Sequence, residues 1–218
     1  MSVSNLNTQV NVLSNYIYPF QMSLVKTAKH MLRKDIKKMI AVMEPEEKKY
    51  QSDFVTEKLL SRPEYQKSHR ISVFISMIDE IQTDKIIHNI FESGKTCFIP
   101  RYADGSRDME MVRLYSLQDL ENLPRTKWNI KQPPESEERE NALETGGLDL
   151  VLVPGLAFTV NGRRLGRGKG YYDTFLNRCR ATQATPPFTV GLAFSQQIVA
   201  DIPTDKNDAC IDLVLYRM

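Results

Sequence analysis

The segment NGRRLGRGKGYYD, residues 161–173, combines the residue types that bind phosphate. Four cations and four glycines fall within thirteen positions, and two tyrosines and a carboxylate close the segment. Glycine lets the backbone approach a ligand closely, so that N–H groups at the start of a helix can donate to phosphate oxygens. Arg164, Arg167 and Lys169 add full positive charges. The segment therefore predicts a polyphosphate site.

The spacing in this segment differs from that of the common phosphate loops. Lys169 is followed by Gly170 where a Walker loop has Ser or Thr, and the glycines do not match the dinucleotide fingerprint. Asp173 falls in the first turn of the predicted helix, where it can hold Mg²⁺ against the same phosphates. Composition alone leaves two plainer interpretations open: a flexible basic surface loop, and for Asp173 a helix N-terminal charge favoured by the dipole.

Strands and helices alternate around residues 161–173, which we call the glycine loop. The periodicity predicts helices over 24–43, 46–60, 84–94 and 171–181, and strands over 70–76, 95–100, 109–115, 148–155, 188–194 and 211–217. The alternation predicts one domain, residues 26–218, with a three-layer α/β/α fold and a mainly parallel sheet. The glycine loop follows the most apolar strand, which places it where open α/β sheets bind ligands. The charged stretch 133–147 is predicted to be a surface connection.

The composition excludes several classes of protein. A net charge of +2, 41% hydrophobic and 26% charged residues describe a soluble globular protein and argue against a general nucleic-acid binder. Cys97, Cys179 and Cys210 have no paired spacing, which argues against a disulfide framework or a zinc site and favours the cytoplasm. No apolar run approaches the ~20 residues of a membrane span.

Residues 1–25 contain no charged side chain. The segment has neither the basic start and apolar core of a signal peptide nor the arginines of a transit peptide. It is therefore predicted to be a variable, disordered extension rather than a targeting segment.

The motif RLGRGKGYYD, with LVPGLAF before it and SMIDEI and FIPRY further upstream, resembles the 5-formyltetrahydrofolate cyclo-ligases (methenyltetrahydrofolate synthetases), the animal forms in particular. The likeness runs without an obvious gap from about Lys26 to Tyr216. It implies an ATP- and Mg²⁺-dependent enzyme that converts 5-formyltetrahydrofolate to 5,10-methenyltetrahydrofolate and releases ADP and phosphate. It also implies phosphorylation of the formyl oxygen before ring closure, a folate substrate with or without a polyglutamate tail, and a cytoplasmic monomer.

The resemblance also implies which residues form the site. Catalytic roles fall on Arg167, Lys169 and Tyr171, and metal ligands on Asp173 and Asp208. The ATP contacts fall on Lys29, His30, Met31, Leu32, Arg33, Arg164, Leu165, Gly166, Arg167, Gly168, Lys169, Gly170, Tyr171 and Tyr172. The folate contacts fall on Arg33, Ile75, Glu80, Arg167, Gly168, Lys169, Gly170 and Tyr171.

Without the resemblance, several of these residues have plainer interpretations. Lys29 and Arg33 read as the solvated face of the first helix, and Glu80 as an ordinary acid after a strand. Glu80 nevertheless suits a pterin, because a carboxylate can accept paired hydrogen bonds from adjacent N–H donors. Trp128 is a candidate aromatic wall of the pocket, although a lone Trp more often belongs to the core.

Two positions depart from the family pattern, and two other functions stay open. Thr159 stands where relatives usually carry an aspartate, and Leu213 where an acidic residue is expected. One alternative is another ATP-dependent ligase or kinase on the same scaffold, against which Glu80 and Tyr171 argue. The other is a non-catalytic RNA-binding protein, which would need a basic patch interleaved with exposed aromatic residues.

Overall fold

The computed structural model describes residues 23–102, 106, 108–126 and 129–218. Residues 1–22, most of the predicted extension, and Trp128 lie outside the described residues. The described helices are α1 (23–41), α2 (Pro45–Leu60), α3 (Pro63–Lys67), α4 (Asp84–Glu92), α5 (Leu117–Asn122) and α6 (Tyr171–Thr182). The described strands are β1 (Arg70–Ser72), β2 (Thr96–Tyr102), β3 (Met109–Leu114), β4 (Leu150–Val153), β5 (Ala157–Phe158), β6 (Arg164–Leu165), β7 (Phe188–Leu192) and β8 (Leu213–Leu215).

The long helices begin and end where the sequence predicts. Helix α2 starts at Pro45, whose missing N–H costs nothing in the first helical position. Helix α4 ends just before Gly94, whose φ of 67° lies in the left-handed region that terminates helices. The prediction of these helices is confirmed. Residues 23–25, assigned to the extension, already belong to α1.

Six strands form one sheet in the order β3-β2-β1-β4-β7-β8. The pairs formed by β1, β2, β4, β7 and β8 are parallel, and β3 alone among the six runs antiparallel to its neighbour β2. The predicted first strand is shorter than expected, since the ladder ends at Ser72 and only Val73 continues it, donating from its N–H to the Phe98 carbonyl at 2.9 Å. The mainly parallel sheet is confirmed.

Strand β4 shows why the domain has three layers. Leu150 and Leu152 belong to the apolar cluster that includes α1, α2 and α4, whereas Val151 and Val153 belong to the cluster that includes α6. Successive side chains of a strand point to opposite faces, so a strand covered on both faces is apolar throughout. The predicted α/β/α arrangement is confirmed. No described helix is long and apolar enough to cross a bilayer.

A small hairpin that the sequence did not predict carries the glycine loop. Strands β5 and β6 pair antiparallel beside the main sheet, with Ala157 opposite Leu165. Thr159 closes the turn, because its Oγ1 accepts from the Arg163 N–H at 3.1 Å. The unusual residue at 159 thus has a local role that an aspartate would also serve. The short helices α3 and α5 were not predicted either.

Candidate active site

The glycine loop lies at the edge of the sheet where the parallel strands end. Gly170 has a φ of 79°, a conformation that favours glycine, and it directly precedes the first residue of α6. Tyr171 then packs against Tyr102 at the end of β2, with ring centroids 4.7 Å apart. The N-terminus of α6, with its free backbone N–H groups, therefore opens at the ligand-binding edge.

Helix α1 turns two cations inward. Lys29, Arg33, Ile36 and Ile40 follow one another at spacings of four, three and four, and Lys29 is only 8% exposed. The interpretation of Lys29 and Arg33 as a solvated face is therefore wrong. Met31, in contrast, is 60% exposed.

Lys29 joins α1 to the turn that contains Asp208. Its ammonium donates to Asp205 Oδ2 at 2.9 Å and to Asp208 Oδ2 at 2.5 Å. Burial lowers the pKa of Lys29, but the two carboxylates outweigh this effect and the net shift is upward. Lys29, itself a predicted ATP contact, is thus a charged side chain held directly beside Asp208, a predicted metal ligand.

Arg33 lies against the glycine loop with most of its donors free. Its Nε donates to the Gly166 carbonyl at 2.8 Å, and its Cζ lies 3.5 Å from the position that a Cβ on Gly168 would take. The two terminal nitrogens donate to no described residue. Burial lowers the pKa of Arg33, against the attraction of Asp208 and Asp173. A half-buried cation with free N–H groups beside a glycine loop is suited to bind an anion.

Arg164 supports the loop from below. The residue is 5% exposed; its guanidinium donates to Asp173 Oδ1 at 2.8 Å and to the Pro154 carbonyl at 3.2 Å. A Cβ on Gly166 would lie 2.8 Å from one of its terminal nitrogens. Arg164 therefore adds positive charge under the loop and fixes Asp173, rather than presenting free donors at the surface.

The two predicted metal ligands each keep one oxygen free of described protein donors. Asp173 Oδ1 accepts from Arg164 and from the Ala209 N–H at 3.2 Å, while its Oδ2 accepts from no described residue. Asp208 uses Oδ2 for Lys29 and the Asp205 N–H, and leaves Oδ1. The described residues contain no group of three or more His, Cys, Asp or Glu that could hold a metal. Mg²⁺ commonly takes one or two carboxylates together with phosphates and water, so this pair fits it.

Arg167 connects the loop to the segment after β1. Its Nε and one terminal nitrogen donate to Glu80 Oε1 at 3.2 and 3.0 Å, and the same terminal nitrogen donates to Asp79 Oδ1 at 2.7 Å. Glu80 is 7% exposed and also accepts at Oε2 from the Met77 N–H at 3.0 Å. Burial raises the pKa of Glu80, against the effect of Arg167. Half-buried Ile75 lies in the same segment. The residues predicted to contact folate and those predicted to contact phosphate therefore meet in one place.

Comparison with known proteins decides the family. The model of the 5-formyltetrahydrofolate cyclo-ligase family matches residues 25–217. A 5-formyltetrahydrofolate cyclo-ligase of Mus musculus is 50% identical over 193 residues, covering 88% of this chain and 95% of the mouse protein. A probable 5-formyltetrahydrofolate cyclo-ligase of Caenorhabditis elegans is 40% identical over 197 residues, with 90% and 96% covered. The chain belongs to the 5-formyltetrahydrofolate cyclo-ligase family.

A solved structure supports the same assignment for this cyclo-ligase. The NMR structure of Aquifex aeolicus 5,10-methenyltetrahydrofolate synthetase matches with a TM-score of 0.70 at 27% identity, covering 86% of this chain and 89% of that chain. The resemblance inferred from the motifs, including its animal type, is confirmed.

The remaining residues predicted to form the site differ in their exposure to solvent. Lys169 is exposed, and its ammonium forms no hydrogen bond or ion pair with a described residue, so it is free for a ligand. His30 and Met31 are exposed on α1, and Leu32 packs against the main core. Leu165 and Tyr172 are buried beneath the loop.

The sequence did not single out three residues that hold the cyclo-ligase site together. Asp79 pairs with Arg167, Asp205 pairs with Lys29, and Tyr102 packs on Tyr171. The available signals were the acidic pair beside Glu80, the spacing of three between Asp205 and Asp208, and the aromatic end of the FIPRY motif. None of these signals names a partner, because each partner is distant in the sequence.

Proposed function

We propose that this cyclo-ligase converts 5-formyltetrahydrofolate to 5,10-methenyltetrahydrofolate while ATP becomes ADP and phosphate. Family membership supports the reaction. The single structural observation that carries it is the contact of Arg167 with Glu80, which joins a phosphate-type loop to a buried carboxylate suited to a pterin. One site of this kind can hold both substrates of the reaction side by side.

The chemistry requires activation of an amide oxygen. The formyl group on the folate nitrogen has a poor leaving group and a weakly electrophilic carbon. Transfer of the γ-phosphoryl forms a bond from phosphorus to the formyl oxygen and breaks the bond to ADP. The neighbouring folate nitrogen then attacks the formyl carbon and loses its proton, the carbon–oxygen bond breaks, and phosphate leaves as the ring closes.

Such a reaction needs positioning and charge stabilisation more than a protein nucleophile. We propose that the backbone N–H groups at the start of α6, together with Arg33 and Lys169, bind the ATP phosphates. The free donors of Arg33 and the uncommitted ammonium of Lys169 support these roles. Arg167, Lys169 and Tyr171 are proposed to contact the reacting groups, since Arg167 and Lys169 lie in the glycine loop and Tyr171 begins α6, where the proposed ATP and folate contacts overlap.

Asp173 and Asp208 are the proposed ligands for Mg²⁺, each through its free oxygen. When bound, the ion would neutralise charge on the phosphates. Arg164 and Lys29 orient the two carboxylates from the protein side. The remaining proposed folate contacts are Ile75, Glu80 and the glycine loop.

We also propose that the enzyme acts as a cytoplasmic monomer on folates with or without a polyglutamate tail. All the proposed site residues come from one chain, so a single copy can form the site. Cys97, Cys179 and Cys210 are free thiols, which suits a reducing compartment.

The reaction is tested by mixing purified protein with 5-formyltetrahydrofolate, ATP and Mg²⁺. The absorbance of the methenyl product should appear, with one ADP and one phosphate per product, and omission of ATP should abolish it. Lys169→Ala should lose most of the signal, whereas Lys38→Ala, an exposed cation on α1, should keep it. A folded protein that binds ATP yet forms no methenyl product would refute the proposed function. It would favour another ATP-dependent enzyme on this scaffold.

A further inference from the structure

Glu80 has too few free acceptor positions to bind a pterin as it stands. A carboxylate offers about four lone pairs, two on each oxygen. Oε1 accepts twice from Arg167, at 3.2 and 3.0 Å, and Oε2 accepts once from the Met77 N–H at 3.0 Å. Three of the four positions are therefore used within the chain, and one remains.

The pterin edge that a carboxylate recognises presents two adjacent N–H donors, which need both carboxylate oxygens. If Glu80 binds folate, as the proposed function states, Arg167 must give up at least part of its contact with Oε1. Water cannot fully replace Arg167 as a partner of the Glu80 carboxylate, because Glu80 is only 7% exposed. Folate binding therefore depends on where the Arg167 guanidinium goes.

Asp79 offers that guanidinium another partner. Its Oδ1 accepts from the terminal nitrogen of Arg167 at 2.7 Å, a shorter distance than either bond to Glu80. Asp79 makes no other described hydrogen bond, so its carboxylate is committed to this contact alone. We propose that Asp79 is a positioning residue for folate binding: it holds Arg167 so that Glu80 can turn its oxygens to the pterin.

The same geometry has the opposite consequence for ATP. If Arg167 also reaches the phosphates, Asp79 competes with them for the same guanidinium. Loss of the Asp79 charge should therefore weaken folate binding without weakening nucleotide binding. A residue that only stabilised the loop would weaken both, which makes the split between the two affinities the decisive observation.

Titration calorimetry of the full-length protein tests this, with 5-formyltetrahydrofolate and a Mg²⁺-bound non-hydrolysable ATP analogue as separate probes. Asp79→Asn should bind the folate about three- to fivefold more weakly, the size expected for a half-exposed ion pair. Its affinity for the analogue should equal or exceed that of the parent protein. Asp79→Glu, which keeps the charge, should restore most of the folate affinity. Asp201→Asn, which removes the exposed partner of Arg163 on the hairpin, should change neither affinity.

Equal weakening of both affinities in Asp79→Asn, or unchanged folate affinity, would overturn the inference and leave the proposed function standing. A parent protein that binds neither probe would overturn the proposed function itself. Asp79 lies in a loop and its side chain is 29% exposed, so the variant should fold with an unfolding temperature within about 2 °C of the parent. Asp79→Ala, which removes the same charge, provides the same comparison should the amide disturb the loop.

Discussion

Arg139 and Arg33 are both arginines that face carboxylates, but they use their donors in opposite ways. Arg139, in the connection between β3 and β4, donates four hydrogen bonds, to Asp119, Glu137 and the Arg113 carbonyl, and one of its terminal nitrogens also lies 2.7 Å from Glu137 Oε1. Its side chain is 3% exposed. Arg33, beside the glycine loop, makes one described hydrogen bond, to the Gly166 carbonyl.

The difference separates structural from functional charge. A buried guanidinium that donates at least four hydrogen bonds within the protein has almost no donor left for a ligand, so its contribution goes to stability. A half-buried guanidinium with free donors costs desolvation that the protein alone does not offset, and it gains a partner only when an anion arrives. We therefore expect changes at Arg139 to alter folding and changes at Arg33 to alter catalysis.

The largest effect is expected for Arg139→Ala. The change leaves Asp119 and Glu137 without their cation and removes a bidentate pair, which should lower the free energy of unfolding by about 3 kcal/mol. Activity per folded molecule should stay the same. Urea unfolding and kcat/KM measured on one preparation check both statements, and a fall in kcat/KM without loss of stability would break the comparison.

Arg33→Ala should have the converse effect. Loss of a charge-assisted phosphate contact should raise the activation free energy by about 2 kcal/mol, a fall in kcat/KM for ATP of roughly 30-fold. The free energy of unfolding should change by less than about 1 kcal/mol, since one hydrogen bond to Gly166 is lost. Lys38→Ala, on the opposite face of α1, serves as the control. Unchanged kinetics with ATP would remove Arg33 from the nucleotide site.

The sequence predicted the elements better than it predicted the contacts between them. Strand β4 was recognisable because it is apolar on both faces, and α4 because its glycine stop follows an apolar pattern. The hairpin of β5 and β6 escaped detection because its strands have two residues each, too few for any periodicity.

The candidate site shows the same limit. Lys29 and Arg33 share a helix with lysines that face solvent, and nothing local distinguishes the two groups. What turns them inward is Asp205, Asp208 and the glycine loop, which follow them by more than 130 residues. Only the resemblance to the family pointed to them, because a likeness over the whole chain carries the outcome of folding that local patterns lack.

A smaller effect is expected for Asp173→Asn. The amide keeps the shape of the side chain but removes the charge that we propose binds Mg²⁺ through Oδ2. The Mg²⁺ concentration for half-maximal activity should rise about five- to tenfold, on the order of 1 kcal/mol for one weakened ligand. Binding of Mg²⁺ with the ATP analogue, followed by calorimetry, gives a second readout. A titration that overlays that of the parent would place Asp173 with Arg139, as a charge used only within the fold.

Glu80→Gln should give the smallest effect on stability. The direction in which this effect changes with pH tests whether burial or Arg167 dominates the pKa of Glu80. Burial raises the pKa of Glu80 above its ordinary value of 4.5, while Arg167 and the Met77 N–H oppose the shift. Because the pKa of Glu80 is raised in the folded state, its contribution to stability is fully present below about pH 4.5. That contribution is lost as the pH rises through the pKa of the folded state. Glutamine does not titrate, so the parent's free energy of unfolding minus that of Glu80→Gln should fall as pH rises from 4.5, then level off. Urea unfolding of both proteins between about pH 4.5 and pH 8 measures this. A difference that instead grows with pH would mean that Arg167 outweighs burial, and Glu80 would then resemble the satisfied acids around Arg139 rather than a carboxylate kept for a ligand.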